Sequence, residues 1–486
     1  MSDWRLEAGQ VRVLVVIASY GQKNLPFLQR IIQRYYSMAM EVDIVVCSER
    51  PKELGPEVRV VVGLPSRNPW SLPFAHKAIF AENVELYDLF VYSEDDIEVG
   101  EDQIRAFVRA APQVALDEIP GYLRYEIDLD GTKLITDMRD AFHWKPETVK
   151  RRGEYTVAEF TNEHSGFYIL TQSQLRRAIA SGGFLKAPYE GRYGLPETAA
   201  TDPYTCCGFR KVICISALQK FLIRHMSNKY VGQLNVGLSS FEEQIEILSR
   251  IRDGLHPAST LCEPETRFLH ARWSKNYYEK PNETLLGLVP SGAEHILSVG
   301  CGSGALEARL QARGARVTAL PLDSVIGGAA AGRGIEMVYG SLGEGFAKLG
   351  GREFDCVVIS DLLHLQADPN QLLSRCCHLV AERGALVVEG PHFDRLGTWL
   401  MRVLGVGEHR KLCNYESSGI TVCGPGTLTG PLRKEGLRVT AVRWLNHALL
   451  RGDARSCLRL GRLSARDWVL QARRQQLAPP TSSLGA

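Results

Sequence analysis

The chain has 486 residues and a formal net charge of +2. A charge this close to zero gives no electrostatic argument for nucleic-acid binding, so we expect no nucleic-acid partner. Hydrophobic residues make up 45% and charged residues 23% of the chain, proportions typical of folded proteins and not of disordered ones. At roughly 150 residues per domain, this length predicts two or three domains.

The sequence contains no segment that would span a membrane or direct export. Met1–Trp4 lacks the charged and apolar regions that open a signal peptide. No apolar run reaches the roughly 18 residues that cross a bilayer. We therefore expect a cytoplasmic protein that meets any lipid-linked acceptor at the membrane surface.

The twelve cysteines favour reduced thiols. Several lie inside apolar runs, among them Cys47, Cys214 and Cys356. No Cys-x-x-Cys pair occurs, so a structural zinc site has no support. We expect the cysteines to serve as small buried hydrophobic residues.

The N-terminal part alternates strand and helix patterns. Short β-branched or apolar runs predict four strands, at Val11–Ala18, Val42–Cys47, Val58–Val62 and Leu89–Tyr92. Helix-period stretches separate them, at 26–36 and 74–83. This alternation predicts an α/β domain with a mostly parallel sheet, whose ligands bind at the carboxyl ends of the strands.

An acidic cluster follows the last of these strands. Glu94, Asp95 and Asp96 are consecutive, and adjacent carboxylates repel each other unless a cation or solvent relieves them. A hard divalent ion would do so by bridging the carboxylates and a diphosphate. The alternative is a solvated turn after a buried strand.

Residues 11–235 resemble glycosyltransferases of the GT-A fold. The matching features are the opening strand, Val13 to Tyr20, and the acidic motif at the end of a later strand. The resemblance implies a mixed-sheet nucleotide-diphospho-sugar transferase domain with a nucleotide-sugar donor and Mn²⁺ or Mg²⁺. The family usually carries Asp-x-Asp, whereas here Glu94 and Asp96 take the outer positions. Asp96 is the preferred metal ligand, with Glu94 or Asp95 assisting.

The same resemblance implies an acid near the acceptor and a histidine that completes the metal shell. Glu197 and Asp202 are the candidate acids, and His225 is the candidate histidine. Each has a structural alternative: the two acids cap a helix, and the histidine packs on the surface.

A glycine run marks the C-terminal part. Gly300, Gly302 and Gly304 follow the strand pattern Ile296–Val299 and precede a helix pattern. Glycine permits positive φ and close approach of the backbone to a ligand. The spacing differs from the dinucleotide pattern Gly-x-Gly-x-x-Gly and resembles the first motif of class I S-adenosylmethionine-dependent methyltransferases.

Four further segments follow in the order of that family, and the resemblance covers about residues 276–445. It implies a Rossmann-like fold that binds S-adenosylmethionine. The segments are Arg316–Leu320, Glu336–Tyr339, Phe354–Leu365 and Leu379–Glu389.

Two acidic positions of the family are changed. Pro321 stands where an acid usually binds the ribose, and Ser341 stands where the third strand usually ends in an acid. Asp323, two residues after Pro321, is the candidate replacement. Asp361, after the fourth strand, is the other candidate cofactor-binding carboxylate.

Methyl transfer to a hydroxyl needs positioning and a base. His364, in the loop after the fourth strand, is the candidate catalytic base, with His392 second. The alternative is a histidine with a structural role only.

These patterns predict a glycosyltransferase-like domain at 1–240, a helical linker at 241–275, a methyltransferase domain at 276–475 and a disordered tail at 476–486. The corresponding function is a bifunctional enzyme of glycan assembly, which glycosylates a glycan acceptor and O-methylates a sugar hydroxyl. One alternative is a methyltransferase whose N-terminal domain only binds glycan or nucleotide. Another is a scaffold in which both halves are inactive.

Overall fold

The computed structural model describes residues 11–233, 236–404, 407–445 and 465–474. The chain divides into two compact units, Met1–His256 and Pro257–Ala486. The predicted linker, 241–275, is therefore shared between them, and the predicted tail at 476–486 lies outside the described residues. None of the helices in these ranges is long and apolar enough to cross a membrane.

The first unit is a mixed α/β structure. Its strands are β1 Arg12–Ala18, β2 Glu41–Ser48, β3 Arg59–Val62, β4 Leu89–Glu94, β5 Ile97–Glu98, β6 Glu118–Pro120, β7 Leu123–Ile127, β8 Lys133–Ile135, β9 Lys150–Arg152, β10 Tyr155–Glu159, β11 Phe167–Thr171, β12 Arg210–Cys214, β13 Leu222–His225 and β14 Val236–Gly237. Its α-helices are α1 Leu25–Tyr36, α2 Ala75–Glu82, α3 Glu101–Ala110, α4 Gln172–Ala180, α5 Leu195–Thr205 and α6 Leu238–Arg252. Short 3-10 segments lie at Pro69–Phe74, Pro146–Thr148 and Ile215–Lys220.

The main sheet of this unit has the order β11-β4-β1-β2-β3. β1 pairs in parallel with both β2 and β4, and β11 runs antiparallel to β4. Both β1 and β4 are almost wholly buried, which explains their continuous apolar sequences. Because Ala18 pairs with Glu94, the end of β1 lies beside the acidic motif.

A second sheet, of order β14-β8-β7-β13-β5, brings a distant part of the chain to the same place. β13 pairs antiparallel with β5, and His225 lies opposite Ile97. The amide of Met226 donates to the carbonyl of Asp96 at 2.8 Å. The histidine and the acidic motif are therefore held together by backbone pairing. A third sheet has the order β6-β12-β10-β9.

The second unit is a doubly wound sheet. Its strands are β15 His295–Cys301, β16 Arg316–Pro321, β17 Glu336–Met337, β18 Phe354–Ile359, β19 Val380–Pro391, β20 Leu437–Leu445 and β21 Asp467–Arg474. Its α-helices are α7 Glu283–Leu288, α8 Ala305–Gln311, α9 Ser324–Ala331, α10 Leu342–Leu349, α11 Pro369–His378, α12 Leu396–Val403, α13 Tyr415–Ser418 and α14 Pro425–Lys434. Further 3-10 segments lie at Leu269–Ala271, Leu363–Leu365 and Gly407–Cys413.

The strand order of this sheet is β17-β16-β15-β18-β19-β21-β20. The order reverses between β15 and β18, which is the point where such sheets bind ligands. Among the described strands of this sheet, only β21 runs in the opposite direction to the others. This is the Rossmann-like class I methyltransferase arrangement, so the predicted fold of the C-terminal part is confirmed.

Candidate functional site

A cavity of 440 Å³ opens at the carboxyl ends of β1 and β4 in the first unit. It brings together five of the predicted site residues: Glu94, Asp95, Asp96, Glu197 and His225. Tyr20, at the end of the predicted opening strand, and His164 also line it. Sequence analysis missed three further side chains in its wall, which come from parts of the chain that are far apart: Trp70, Arg124 and Lys229.

Asp95 is hydrogen-bonded to the turn that follows β1. Its carboxylate accepts a hydrogen bond from the hydroxyl of Ser19 at 2.7 Å and another from the side-chain amide of Asn24 at 2.7 Å. Both partners belong to the turn between β1 and α1. Asp95 therefore fixes the loop that follows the first strand.

Asp96 is paired with His225. The Nε2 atom of His225 lies 3.2 Å from Asp96, and its Nδ1 atom lies 2.6 Å from the carboxylate of Glu126. Burial lowers the pKa of His225, but the hydrogen bonds to Asp96 and Glu126 outweigh it and raise that pKa to about 9. The protonated ring donates to both carboxylates, and this cation stabilises Asp96.

The third carboxyl group is in a different state. Burial, followed by the charge of Asp96, raises the pKa of Glu94 to about 7. A substantial fraction of Glu94 therefore holds a proton at neutral pH.

The predicted metal site from Glu94, Asp95, Asp96 and His225 is not formed. Across the described ranges no group of three or more His, Cys, Asp or Glu side chains is arranged to hold a metal ion. The physical reason is that three consecutive residues at a strand end point in different directions. Asp95 faces Ser19 and Asp96 faces His225.

Glu197 faces the cavity from the first turn of α5. Its Oε2 atom is buried and has no hydrogen-bond partner among the described residues. A carboxylate oxygen in this state is available to accept a proton or a hydrogen bond from a ligand.

Asp202 does not share this site. It is fully buried, forms an ion pair with Lys77 and accepts a hydrogen bond from the hydroxyl of Tyr189 at 2.7 Å. Residues five apart on a helix point about 140° apart, so Glu197 and Asp202 cannot face one cavity. Asp202 therefore belongs to the core, where it neutralises Lys77.

In the second unit, the glycine run forms the expected turn between β15 and α8. Gly300 and Gly304 have φ values of +87° and +79°, which favour glycine. Gly302 is needed for a different reason. A Cβ atom there would lie 2.4 Å from the carbonyl oxygen of Tyr277, and the amide of Ser303 donates to that same oxygen at 2.7 Å. The chain itself makes the close approach predicted for a cofactor.

Asp323 does not fit the predicted ribose-binding role in this arrangement. Its carboxylate caps α9, accepting from the amides of Val325 at 2.7 Å and Ile326 at 2.9 Å. Burial, followed by the charge of Asp323, raises the pKa of the Tyr277 phenol. A shift of two residues from Pro321 moved the acid from a ligand position to the start of the helix.

His364 is buried and does not line the cavity of this unit. Its Nε2 atom donates to the carbonyl of Trp273 at 2.7 Å, so the proton is on Nε2. Burial is the main reason why its pKa is lowered. The ring packs against Phe393, and the predicted role as a base is not supported by this position.

The second unit has its own cavity of 520 Å³, and Asp361 lines it. Four more carboxyl groups also line it and were missed by sequence analysis: Glu279, Glu283, Glu389 and Asp467. Burial raises the pKa of Glu279 to about 7 and that of Glu389 to about 8. The fully buried Lys275 lies 2.6 Å from Glu279. Glu389 lies near the carboxyl end of β19, which pairs with both β18 and β21, a position that the strand pattern alone could have indicated.

Replacing Glu389 with Gln should stabilise the protein at alkaline pH. The pKa of this carboxyl is about 8 in the folded state against an ordinary value of 4.5. The unfolded chain then loses its proton first, so stability falls as pH rises from about 4.5 to 8. We expect the free energy of unfolding of the variant to exceed that of the native chain by on the order of a few kcal/mol at pH 8.5 and by little at pH 5. Denaturant unfolding at both pH values measures this. An equal change in stability at the two pH values would contradict the expected pH dependence. The control is Glu382→Gln, which replaces an exposed carboxylate.

Comparison with known proteins concerns the C-terminal part. Residues 280–411 match the family model described as methionine biosynthesis protein MetW. No curated protein matches the chain.

Solved structures similar to the chain include three methyltransferases, each covering 40% of this chain with a TM-score of 0.30. An S-adenosylmethionine-dependent methyltransferase from Archaeoglobus fulgidus is 17% identical, over 90% of its own length. Magnesium protoporphyrin IX methyltransferase from Synechocystis PCC 6803, with bound S-adenosylhomocysteine, is 16% identical over 83%. A methyltransferase from Mesorhizobium loti is 20% identical over 96%.

Proposed function

We propose that the first unit transfers a sugar from a nucleotide-sugar donor to a glycan acceptor. The observation that carries this proposal is the position of Glu197, which lines the same cavity as the acidic motif and has a buried carboxylate oxygen without a hydrogen-bond partner among the described residues. The cavity lies where α/β sheets bind their ligands. Its GT-A resemblance comes from β1 and the acidic motif.

The described side chains supply the parts of such a reaction without a metal ion. Glu197 takes the proton from the acceptor hydroxyl as that oxygen attacks the sugar. Lys229 places positive charge in the wall, where it stabilises the diphosphate as it leaves. Arg124 also lines the wall, and its guanidinium is paired with the buried Asp137 at 2.7 Å. Tyr20 and Trp70 are 54% and 68% exposed at the mouth, and their rings offer stacking surfaces for a base or a sugar.

For the second unit we propose S-adenosylmethionine-dependent O-methylation of a sugar hydroxyl. The fold and the MetW match over 280–411 support a methyltransferase. Two activities on one chain raise the effective concentration of the product of one step at the other site.

A methyltransferase with a non-catalytic N-terminal domain is the second candidate. It is favoured by the family match, which lies entirely within the second unit. In this case the cavity of the first unit binds a nucleotide or a glycan without turnover.

Donor turnover separates the two candidates. The intact chain would be incubated with a panel of nucleotide-sugars, with and without added divalent cations, and released nucleoside diphosphate would be measured. We expect release from at least one donor, and loss of that release in Glu197→Gln. Donor binding without release by the native chain would instead support the second candidate.

A further inference from the structure

The chain itself covers the carboxyl ends of β16 and β17 in the second unit. The amide of Leu261 donates to the carbonyl of Leu322 at 2.8 Å, and the carbonyl of Leu261 accepts from the amide of Leu342 at 3.0 Å. Ser259 makes a matching backbone contact with Ser324 at 2.9 Å. We call residues 259–277 the covering segment. Its first part is hydrogen-bonded to the loops that follow the two strands.

The end of the covering segment fills the space between these loops and the glycine run. Tyr277 is fully buried in the same apolar cluster as Leu261, Leu322 and Ile326. Its carbonyl accepts a hydrogen bond from the amide of Ser303.

The polar contacts of Tyr277 resemble those of a nucleoside. The methyltransferase resemblance implies a ribose hydroxyl bound by a carboxylate after the second strand. Here burial and the nearby charge of Asp323, the first carboxylate after β16, raise the pKa of the Tyr277 phenol. The ring lies among apolar side chains, as an adenine would.

We propose that the covering segment is an intramolecular occupant of the nucleoside position, and that it must leave before S-adenosylmethionine can bind. The proposal rests on the methyltransferase function proposed above. In the state described here the second unit is closed to its cofactor. The apparent affinity for the cofactor is then reduced by the fraction of molecules in which the segment is open.

The same segment leads into the second cavity. Asn276 and Glu279, next to Tyr277 in the chain, line its wall. A ligand in that cavity therefore contacts the residues that adjoin the covering segment, which gives an acceptor a direct means of shifting it.

A reversible lock tests the proposal. The hydroxyl oxygens of Ser259 and Ser324 lie 2.8 Å apart, so Ser259→Cys together with Ser324→Cys places two thiols in position for a disulfide. Binding of S-adenosylhomocysteine to the intact chain would be measured by calorimetry. We expect no binding by the oxidised double variant, and recovery of the native affinity after reduction with dithiothreitol.

A second variant tests whether removing the occupant raises the affinity for the cofactor. Tyr277→Ala removes the side chain that fills the site, and we expect it to bind S-adenosylhomocysteine at least tenfold more tightly than the native chain. Tyr277→Phe is the milder change, which removes only the hydroxyl near Asp323, and it should show a smaller gain in affinity. Circular dichroism confirms that each variant is folded.

Two results would overturn the proposal. Equal affinity of the native chain, the oxidised lock and Tyr277→Ala would show that the segment is not in the way, and the methyltransferase function would stand. Absence of binding by all the folded proteins, including the reduced double variant and Tyr277→Ala, would remove the cofactor site and the proposed methyltransferase function with it.

Discussion

Replacing Glu197 with Gln is expected to lower the rate of glycosyl transfer by about 10²–10⁴-fold, the usual contribution of a general base. The amide has the same shape but cannot take a proton. Because Oε2 of Glu197 has no hydrogen-bond partner among the described residues, the substitution breaks no hydrogen bond of that oxygen there. We therefore expect unchanged stability and unchanged donor binding. Steady-state rates and a donor titration measure the two effects.

The matched control is Glu190→Gln, an exposed carboxylate that precedes the same helix. Its rate should equal that of the native chain. A fully active Glu197→Gln enzyme would show that another group takes the proton, and would remove Glu197 from the proposed mechanism.

Replacing Asp202 with Ala is expected to lower the free energy of unfolding by about 3–5 kcal/mol, because it leaves the buried Lys77 without its partner. Both side chains are buried, at 0% and 3% exposure. Chemical denaturation measures the change. Glu85→Gln, which breaks an exposed pair with Arg176, should have little effect.

An unchanged denaturation midpoint in Asp202→Ala would contradict this assignment. So would a folded Asp202→Ala protein that has lost donor turnover in the manner of Glu197→Gln. Either result would support a catalytic role for Asp202.

The main sheet of each unit was predictable because its central strands have simple sequences. β1 and β4 are covered on both faces and are therefore continuous apolar runs. The turn at Gly300 and Gly304 was predictable because only glycine readily adopts positive φ. These signals are local, and a single sequence carries them.

The contacts that define the two sites depend on residues far apart in the chain. Glu126 and Asp96 meet at His225 only because β13 pairs with both β5 and β7. Nothing in the sequence near the glycine run indicates that Tyr277 fills the space beside it. The separation of Glu197 and Asp202, by contrast, follows from helix geometry and was available from the sequence.

The central claim, a nucleotide-sugar site in the first unit, is tested most directly by a crystal structure of the intact chain soaked with UDP, GDP, ADP or dTDP. We predict that one of these binds in the 440 Å³ cavity. The base should lie near Tyr20 and Asn24, and the diphosphate should lie towards Arg124 and Lys229. A nucleotide bound elsewhere, or a cavity left empty by all four at saturating concentration, would contradict the account.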